Sequence, residues 1–420
     1  MDKQLNLEDI VEGALTRLLP SRVTPFAVAF SGGGDSVALV HALRAHAARA
    51  HVFIVDHGLR QGSQPEALAA QRQAQSWGFK CDVLTWSPEA VTTAIQEKAR
   101  LARYGLMGER LRSLGLRYLL TGHTLGDQAE TCLMRYDRDT GWRGAAGMRE
   151  RVYAPIWPAL AGIELIRPLL KCSREKLRAY NRKHGLDWAD DPSNQNADFT
   201  RIRARQYLST KADLSKLLVT TADDLQAGLL QEQQQLEGWT KTHADVSGHG
   251  FIRFKSIPNQ QVLRRFIQAV GGRGKMTDAY ALEKLQAQMR GPSFKAATLN
   301  GCQITAHKTG YLLVCEASRA KGRKGHIPAS KPQEFSSGHH VWDQRFLISY
   351  TGKDVVKIGH AFGHISRLAD CMRSFPPEAR LTLPLIENTQ GDVIGVGAYH
   401  SDDLSVEWLG HERLMGRVSV

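Results

Sequence analysis

The chain has 420 residues, 42% hydrophobic and 23% charged, a balance expected of a soluble globular protein with two or three domains. No run approaches the 18 apolar residues of a membrane helix. The acid-bearing start MDKQLNLEDIVEGALTRLLP is neither a secretory signal nor a transit peptide, so a cytoplasmic location is expected, without a membrane. The 55 basic residues against 42 acidic ones leave a net charge of +13, which favours a polyanionic partner such as nucleic acid. The nearest pair of the six cysteines, Cys302 and Cys315, is 13 residues apart, so no Cys-x-x-Cys metal or iron–sulfur spacing exists.

A leading helix is expected up to Pro20. Phe26 to Phe30 is then an uninterrupted apolar run, the pattern of a strand buried on both faces of a parallel sheet. Ser31, Gly32, Gly33, Gly34, Asp35 and Ser36 follow, and an Ala- and Leu-rich helix starts beside them. A strand, a glycine turn and a helix start form either a plain tight turn or an anion site, in which uncovered N–H groups and the positive end of the helix dipole face the loop. The loop lacks the Gly-Lys-Ser/Thr of a P-loop and the G-x-G-x-x-G of a dinucleotide fold.

Further strands are predicted at His51–Asp56, Lys80–Leu84, Arg117–His123 and Leu165–Leu170. Helices are predicted at Gln64–Trp77, Thr92–Ser113, Asp127–Tyr136 and Ser173–Gly185. The alternation implies an α/β fold with a doubly wound parallel sheet, whose ligand lies at the carboxyl ends of the strands. Ser31, the stretch Asp56 to Leu59 and His123 fall there. After residue 210 the texture becomes helical, with Lys211–Thr242, Gln260–Val270 and Asp278–Met289, then strand-like over Ala296–Glu316. SRAKGRKG at Ser318–Gly325 reads as a linker, and the remainder as a small β-rich domain. The expected domains are therefore 1–210 (catalytic), 211–325 (mainly helical) and 326–420 (β-rich).

His57 and Arg60, just past the second strand, are placed to face the nucleotide crevice, although a simple strand-end turn explains the same residues. Arg100 and Arg103 share a helix face and suit phosphates, or form a solvated basic face. His123 is a site residue or a core histidine. Asp127 caps its helix, holds Mg2+, or accepts a proton from an amine nucleophile.

The order Ser-Gly-Gly-x-Asp-Ser resembles the pyrophosphate loop of the PP-loop ATP pyrophosphatases, which cleave ATP between the α and β phosphates. The motifs VDHGLR with Ser63 and Glu66, Ala102-Arg103-Tyr104, Thr121-Gly122-His123, DQAET from Asp127 and GAAGM at Gly144–Met148 narrow the resemblance. So do Arg167-Pro168-Leu169-Leu170, Asp190-Asp191-Pro192-Ser193-Asn194 and Phe199-Thr200-Arg201. Together, over residues 25 to 207, they are similar to the tRNA(Ile)-lysidine synthetase family. The later parts are more weakly similar to that family's tRNA-binding domains.

That resemblance implies ATP-dependent ligation of free lysine to C2 of the wobble cytidine of tRNA(Ile) with a CAU anticodon, through an adenylated intermediate. It implies ATP binding by Ser31, Gly32, Gly33, Gly34, Asp35, Ser36 and His57, with Asp35 near Mg2+. Asp35, Arg103, His123 and Asp127 become the catalytic set, and no obligatory protein partner is implied. The basic residues Arg135, Arg138, Arg143, Arg201 and Arg205 are then expected along the RNA. The chain departs from the family's pattern in having Gly126 where an acid usually precedes Asp127, which leaves Asp127 as the one acid expected at that spot. Ile202 replaces the usual Asn, and Arg138-Asp139-Thr140-Gly141 the usual Arg-Gly-Ser-Gly. Two other readings stay open: a PP-loop amide-forming enzyme acting on a small metabolite, and a non-catalytic RNA-binding relative.

Overall fold

The computed structural model describes residues 6–56, 58, 62–86, 95–137, 141–189, 200–273, 277–322, 331–362, 364, 368 and 372–414. Their contacts separate into two compact units, Met1–Gln231 and Glu232–Val418.

The first unit opens with helix α1 (Leu7–Leu18), capped by the Asn6 side chain, which accepts from the amide of Asp9. Its strands are β1 (Phe26–Ala29), β2 (Ala50–Asp56), β3 (Lys80–Thr85), β4 (Tyr118–Leu120), β5 (Arg151–Tyr153) and β6 (Glu164–Ile166). They form one sheet in the order β3-β2-β1-β4-β6-β5. All neighbours are parallel except β5, which closes the edge antiparallel to β6. The helices are α2 (Gly34–Ala42), α3 (Ser63–Ser76), α4 (Ile95–Ser113), α5 (Leu125–Asp137), α6 (Gly141–Ala145), α7 (Arg174–Lys183) and α8 (Thr200–Ser209).

Both faces of the sheet are buried, as the uninterrupted apolar runs predict. Phe26, Val28 and Phe30 pack with α1, α2 and α7 on one face, while Ala27 and Phe53 pack with Tyr104, Met107 and Leu111 of α4 on the other. The sheet order jumps from β1 to β4, and that switch is the place where an open α/β sheet binds its ligand. Three details differ from the sequence pattern. The strand predicted to reach Leu170 stops at Ile166; the Arg167 amide still bonds to the Glu150 carbonyl at 2.8 Å, and the chain turns at Pro168, which has no amide to continue the ladder. The three-residue β5 is too short to show a period. Helix α8 is a separate element, and it buries Ile202, Ala204 and Leu208.

Helix α9 (Ala212–His243) spans the division between the units. The second unit contains the two expected helices, α10 (Gln260–Gly271) and α11 (Ala279–Arg290). They accompany a five-stranded antiparallel sheet of β7 (Ala244–Val246), β8 (Ile252–Phe254), β9 (Ala296–Leu299), β10 (Cys302–His307) and β11 (Gly310–Cys315). Residues 211–325 thus combine helices with this sheet, whose strands β9 to β11 fall in the stretch expected to be strand-like, and β10 and β11 form a hairpin through Lys308-Thr309.

Two four-stranded sheets complete the unit. One joins β12 (Gln333–Phe335), β15 (Val356–His360), β16 (Pro384–Glu387) and β17 (Val393–Val396). The other joins β13 (Gly338–Trp342), β14 (Phe346–Tyr350), β18 (Tyr399–His400) and β19 (Leu404–Trp408). Residues on both sides of position 325, from Leu236 through Phe266 to Trp342 and Val406, share one apolar cluster.

Candidate active site

The glycine loop leaves β1 where the Phe30 amide still bonds to the Phe53 carbonyl at 2.8 Å, then turns sharply into α2. Gly32 carries the turn at φ +74°, a backbone conformation that side chains disfavour. The Ser36 hydroxyl donates back to the Gly33 carbonyl at 2.8 Å and lies 3.1 Å from the Ser31 hydroxyl, so the two serines brace the loop from inside. From outside, Asn181 donates to the Gly34 carbonyl at 2.8 Å, the Ala189 amide bonds to the Gly32 carbonyl at 2.9 Å, and the Trp188 ring lies 3.4 Å from where a Gly34 β-carbon would be. The first-turn amides of α2 have no intrahelical acceptor and remain for an anion.

The turn after β4 packs directly on this helix start. A β-carbon on Gly122 would stand 3.2 Å from the Asp35 carbonyl oxygen, a tighter contact than most, so glycine lets the Thr121-Gly122-His123 turn lie close against the phosphate loop. His123 Nδ1 lies 2.8 Å from the Thr121 hydroxyl. Burial, with Arg167 adding to it, depresses the His123 imidazole to about 3, so the ring is neutral at physiological pH.

Helix α5 then presents its acids. Asp127 Oδ2 accepts from both the amide and the hydroxyl of Thr124, each at 2.8 Å, so the helix-capping role is fulfilled. Its Oδ1 accepts from Arg174 Nη2 at 2.6 Å and Arg201 Nη2 at 3.0 Å. One helical turn on, Glu130 Oε1 accepts from Arg174 Nη1 at 3.0 Å and Arg205 Nε at 2.7 Å, while Oε2 accepts from Arg201 Nε at 2.9 Å. Arg174 Nε also reaches Asp35 Oδ2, at 3.3 Å. Three carboxylates and three guanidiniums therefore form one cluster. Burial would raise the Asp127 carboxyl, but Arg174 and Arg201 outweigh it and bring it down to about 2. For Asp35 burial prevails over Arg174, and its carboxyl is raised.

Asp127 is consequently not the lone acid at this spot. Glu130 stands beside it, and the i, i+3 spacing within DQAET was the signal available in the sequence. No three-residue or larger group of His, Cys, Asp and Glu is arranged for a metal among the described residues. A single carboxylate such as Asp35, completed by phosphate oxygens, suits Mg2+ better than an all-protein cage.

The residues expected along the RNA have varied surroundings. Arg201 and Arg205 lie in the acid cluster. Arg135 donates to the carbonyls of Gly144 at 3.2 Å and Gly147 at 2.8 Å. It thereby holds the GAAGM segment on α5, together with Gln128, which bonds both the amide and the carbonyl of Met148. The Arg143 guanidinium lies 4.7 Å from the centre of the Trp142 ring, at the surface. Arg103 is exposed on α4. His57, Arg60, Arg138 and the Asp190–Asn194 motif lie outside the described residues.

Comparison with known proteins agrees with this geometry. The ATP-binding PP-loop domain family matches residues 7–212, the whole of the parallel sheet and its helices. The tRNA(Ile)-lysidine synthase of Hyphomonas neptunium is 36% identical over 303 residues, covering 69% of this chain and 82% of that protein. The enzyme of the same name from Ruegeria pomeroyi is 33% identical, covering 66% of this chain and 68% of its own. That from Caulobacter vibrioides is 28% identical over 98% of this chain and 95% of its own. No described helix is long and apolar enough to cross a membrane. With a braced phosphate loop, a neutral histidine and an acid pair on one parallel sheet, and with these relatives, the chain belongs to the tRNA(Ile)-lysidine synthase family.

Proposed function

We propose that this ligase uses ATP to adenylate the C2 carbonyl oxygen of the wobble cytidine in a CAU-anticodon tRNA(Ile), releasing pyrophosphate. The ε-amine of free lysine then displaces AMP and forms lysidine, which changes the codon and amino-acid specificity of the tRNA. The observation that carries this reading is the reach of Arg174, which touches Asp35 on the phosphate loop and both acids of α5. An ATP phosphate and a cationic amine can therefore be held one side chain apart.

The roles follow from the surroundings. Ser31 to Ser36 cradle the β and γ phosphates with backbone amides. Asp35 would hold Mg2+ against those phosphates, where the ion neutralises charge on the departing pyrophosphate. Neutral His123 offers a hydrogen bond, not a charge, and so positions the nucleotide. Asp127 and Glu130 take an ammonium group of lysine; Asp127, already ionised far below neutral pH, orients that group without titrating. Arg103 and His57 complete the phosphate side. Because activation supplies a good leaving group, positioning and charge stabilisation suffice, and the base must leave its stack to enter. For the RNA path, Arg143 beside Trp142, with Arg138, is the favoured contact, since Arg201 and Arg205 already face acids.

The test supplies ATP, labelled lysine and CAU-anticodon tRNA. Label is expected in the RNA, and Asp35→Ala should abolish AMP formation while tRNA binding persists. AMP formed only with an added small metabolite, and no label in the RNA, would replace this reading with the small-molecule amide-forming one.

A further inference from the structure

We propose that Arg174 is an internal counter-ion that the amine substrate must displace, and that ATP draws it away, so that nucleotide and lysine bind cooperatively. This rests on the reading of Asp127 and Glu130 as the amine subsite. The position of Arg174 is fixed by its backbone. It is the first residue of α7, whose start is capped by the Ser173 hydroxyl accepting from the Lys176 amide. From there its three nitrogens meet three different carboxylates: Nε meets Asp35 at 3.3 Å, Nη2 meets Asp127 at 2.6 Å and Nη1 meets Glu130 at 3.0 Å. Arg201 and Arg205 hold only the last two acids.

Every oxygen of Asp127 and Glu130 already accepts an N–H or O–H. An ammonium brings three more donors, so it must take acceptor positions from a guanidinium. The charge count leads to the same place. Three acids and three arginines sum to zero, and adding a fourth cation without displacing one would leave an uncompensated charge in a half-buried site. Of the three arginines, Arg174 is the one that already touches the phosphate loop. A triphosphate there offers its guanidinium a bidentate partner at least as good as the acids it would leave. Gly126 supplies the room: a β-carbon at that position would stand 3.2 Å from Arg174 Nη1. The residue at which this chain departs from the family's usual acid is thus the one against which Arg174 packs.

Lysine affinity is measured by calorimetry on the full chain, with and without a non-hydrolysable ATP analogue and Mg2+. Wild-type protein should bind lysine at least about fivefold more tightly with the analogue, the lower end of ordinary coupling between sites. In Arg174→Gln, lysine without nucleotide should bind more tightly than to wild type, and the effect of the analogue should vanish. Equal wild-type affinities with and without the analogue overturn the proposal and require no variant. So does an Arg174→Gln protein that binds lysine more weakly or keeps the coupling, provided that Asp127→Asn has lost lysine binding. If Asp127→Asn binds lysine as wild type does, the amine subsite itself is misplaced, and the acid-pair reading fails first.

Discussion

Two buried clusters of acids and arginines, one in each unit, use the same ion pair to opposite ends. In the first unit, Arg174, Arg201 and Arg205 direct their N–H groups to Asp35, Asp127 and Glu130, and the side chains of Arg201 and Arg205 are each 37% exposed. In the second unit, Asp343 lies between Arg319 and Arg345, and the Arg345 side chain is only 2% exposed. Those arginines also grip the backbone. Arg345 donates to the Thr382 carbonyl at 2.6 Å, and Arg319 to the carbonyls of Gly271 at 2.5 Å and Asp343 at 2.7 Å. They fasten the β13–β14 turn, in which Asp343 and Gln344 take φ values of 51° and 55° without being glycine. Guanidiniums tied to backbone carbonyls fix a fold. Guanidiniums whose contacts among the described residues are to carboxylates, as those of Arg174, Arg201 and Arg205 are, leave the backbone free of them, which is what the proposed exchange for a ligand requires.

The largest expected effect breaks this comparison most directly. Asp343→Asn leaves Arg345 sealed without its counter-charge and should cost about 3–5 kcal/mol in denaturant unfolding. Glu130→Gln also neutralises a buried acid, but its arginines can turn to water, and the loss should stay below about 2 kcal/mol. Lysine transfer by Glu130→Gln should instead fall about 100-fold, roughly 2.7 kcal/mol of barrier, with adenylation kept. Equal stability losses with full transfer activity would show both clusters to be structural.

Titration sharpens the difference. His360 lies 3.9 Å from Asp343. Burial depresses it to about 4, although Asp343 pulls the other way. Its folded value lies below the unfolded one of about 6.5, so the unfolded chain takes up the proton first. The stability is therefore complete above about pH 6.5 and declines as the pH falls towards 4. Unfolding midpoints at pH 7 and pH 5 should differ less in His360→Gln than in wild type. Asp127, depressed to about 2, sheds its own contribution only below about pH 4, so its carboxylate should keep its charge throughout that window. A His360→Gln protein with an unchanged slope would remove the histidine from the account.

What the sequence made legible follows from the range of the causes. The apolar run Phe26–Phe30, the glycines of the loop and the positions of His123 and Asp127 have local reasons, and all are where the pattern puts them. The guanidiniums of Arg174, Arg201 and Arg205 come from 47, 74 and 75 residues beyond the acids they meet, a distance no local pattern spans. For the same reason the surroundings of Arg135 were not legible: a sequence shows a donor but not its acceptors, and here these include the carbonyls of Gly144 and Gly147. Of the five-stranded sheet, β9 to β11 lie in the stretch read as strand-like, while β7 and β8, three residues each, are too short to show a period, and the Asp343-Gln344 turn was hidden by the absence of glycine.

The smallest effect tests whether the active-site cluster is redundant. Arg205 places Nε on Glu130 at 2.7 Å, while its Nη2 stands 4.0 Å from Asp127. Removing it leaves Glu130 Oε1 with Arg174 and Oε2 with Arg201. Arg205→Gln should therefore cost less than about 1 kcal/mol in stability, the scale of a half-exposed ion pair. Arg319→Gln should cost more, because it severs two backbone contacts along with its ion pair. If Arg205→Gln proves the more damaging of the two, the arginines of the first cluster act as a rigid unit, and a cation that enters by displacing one of them would have to break the whole.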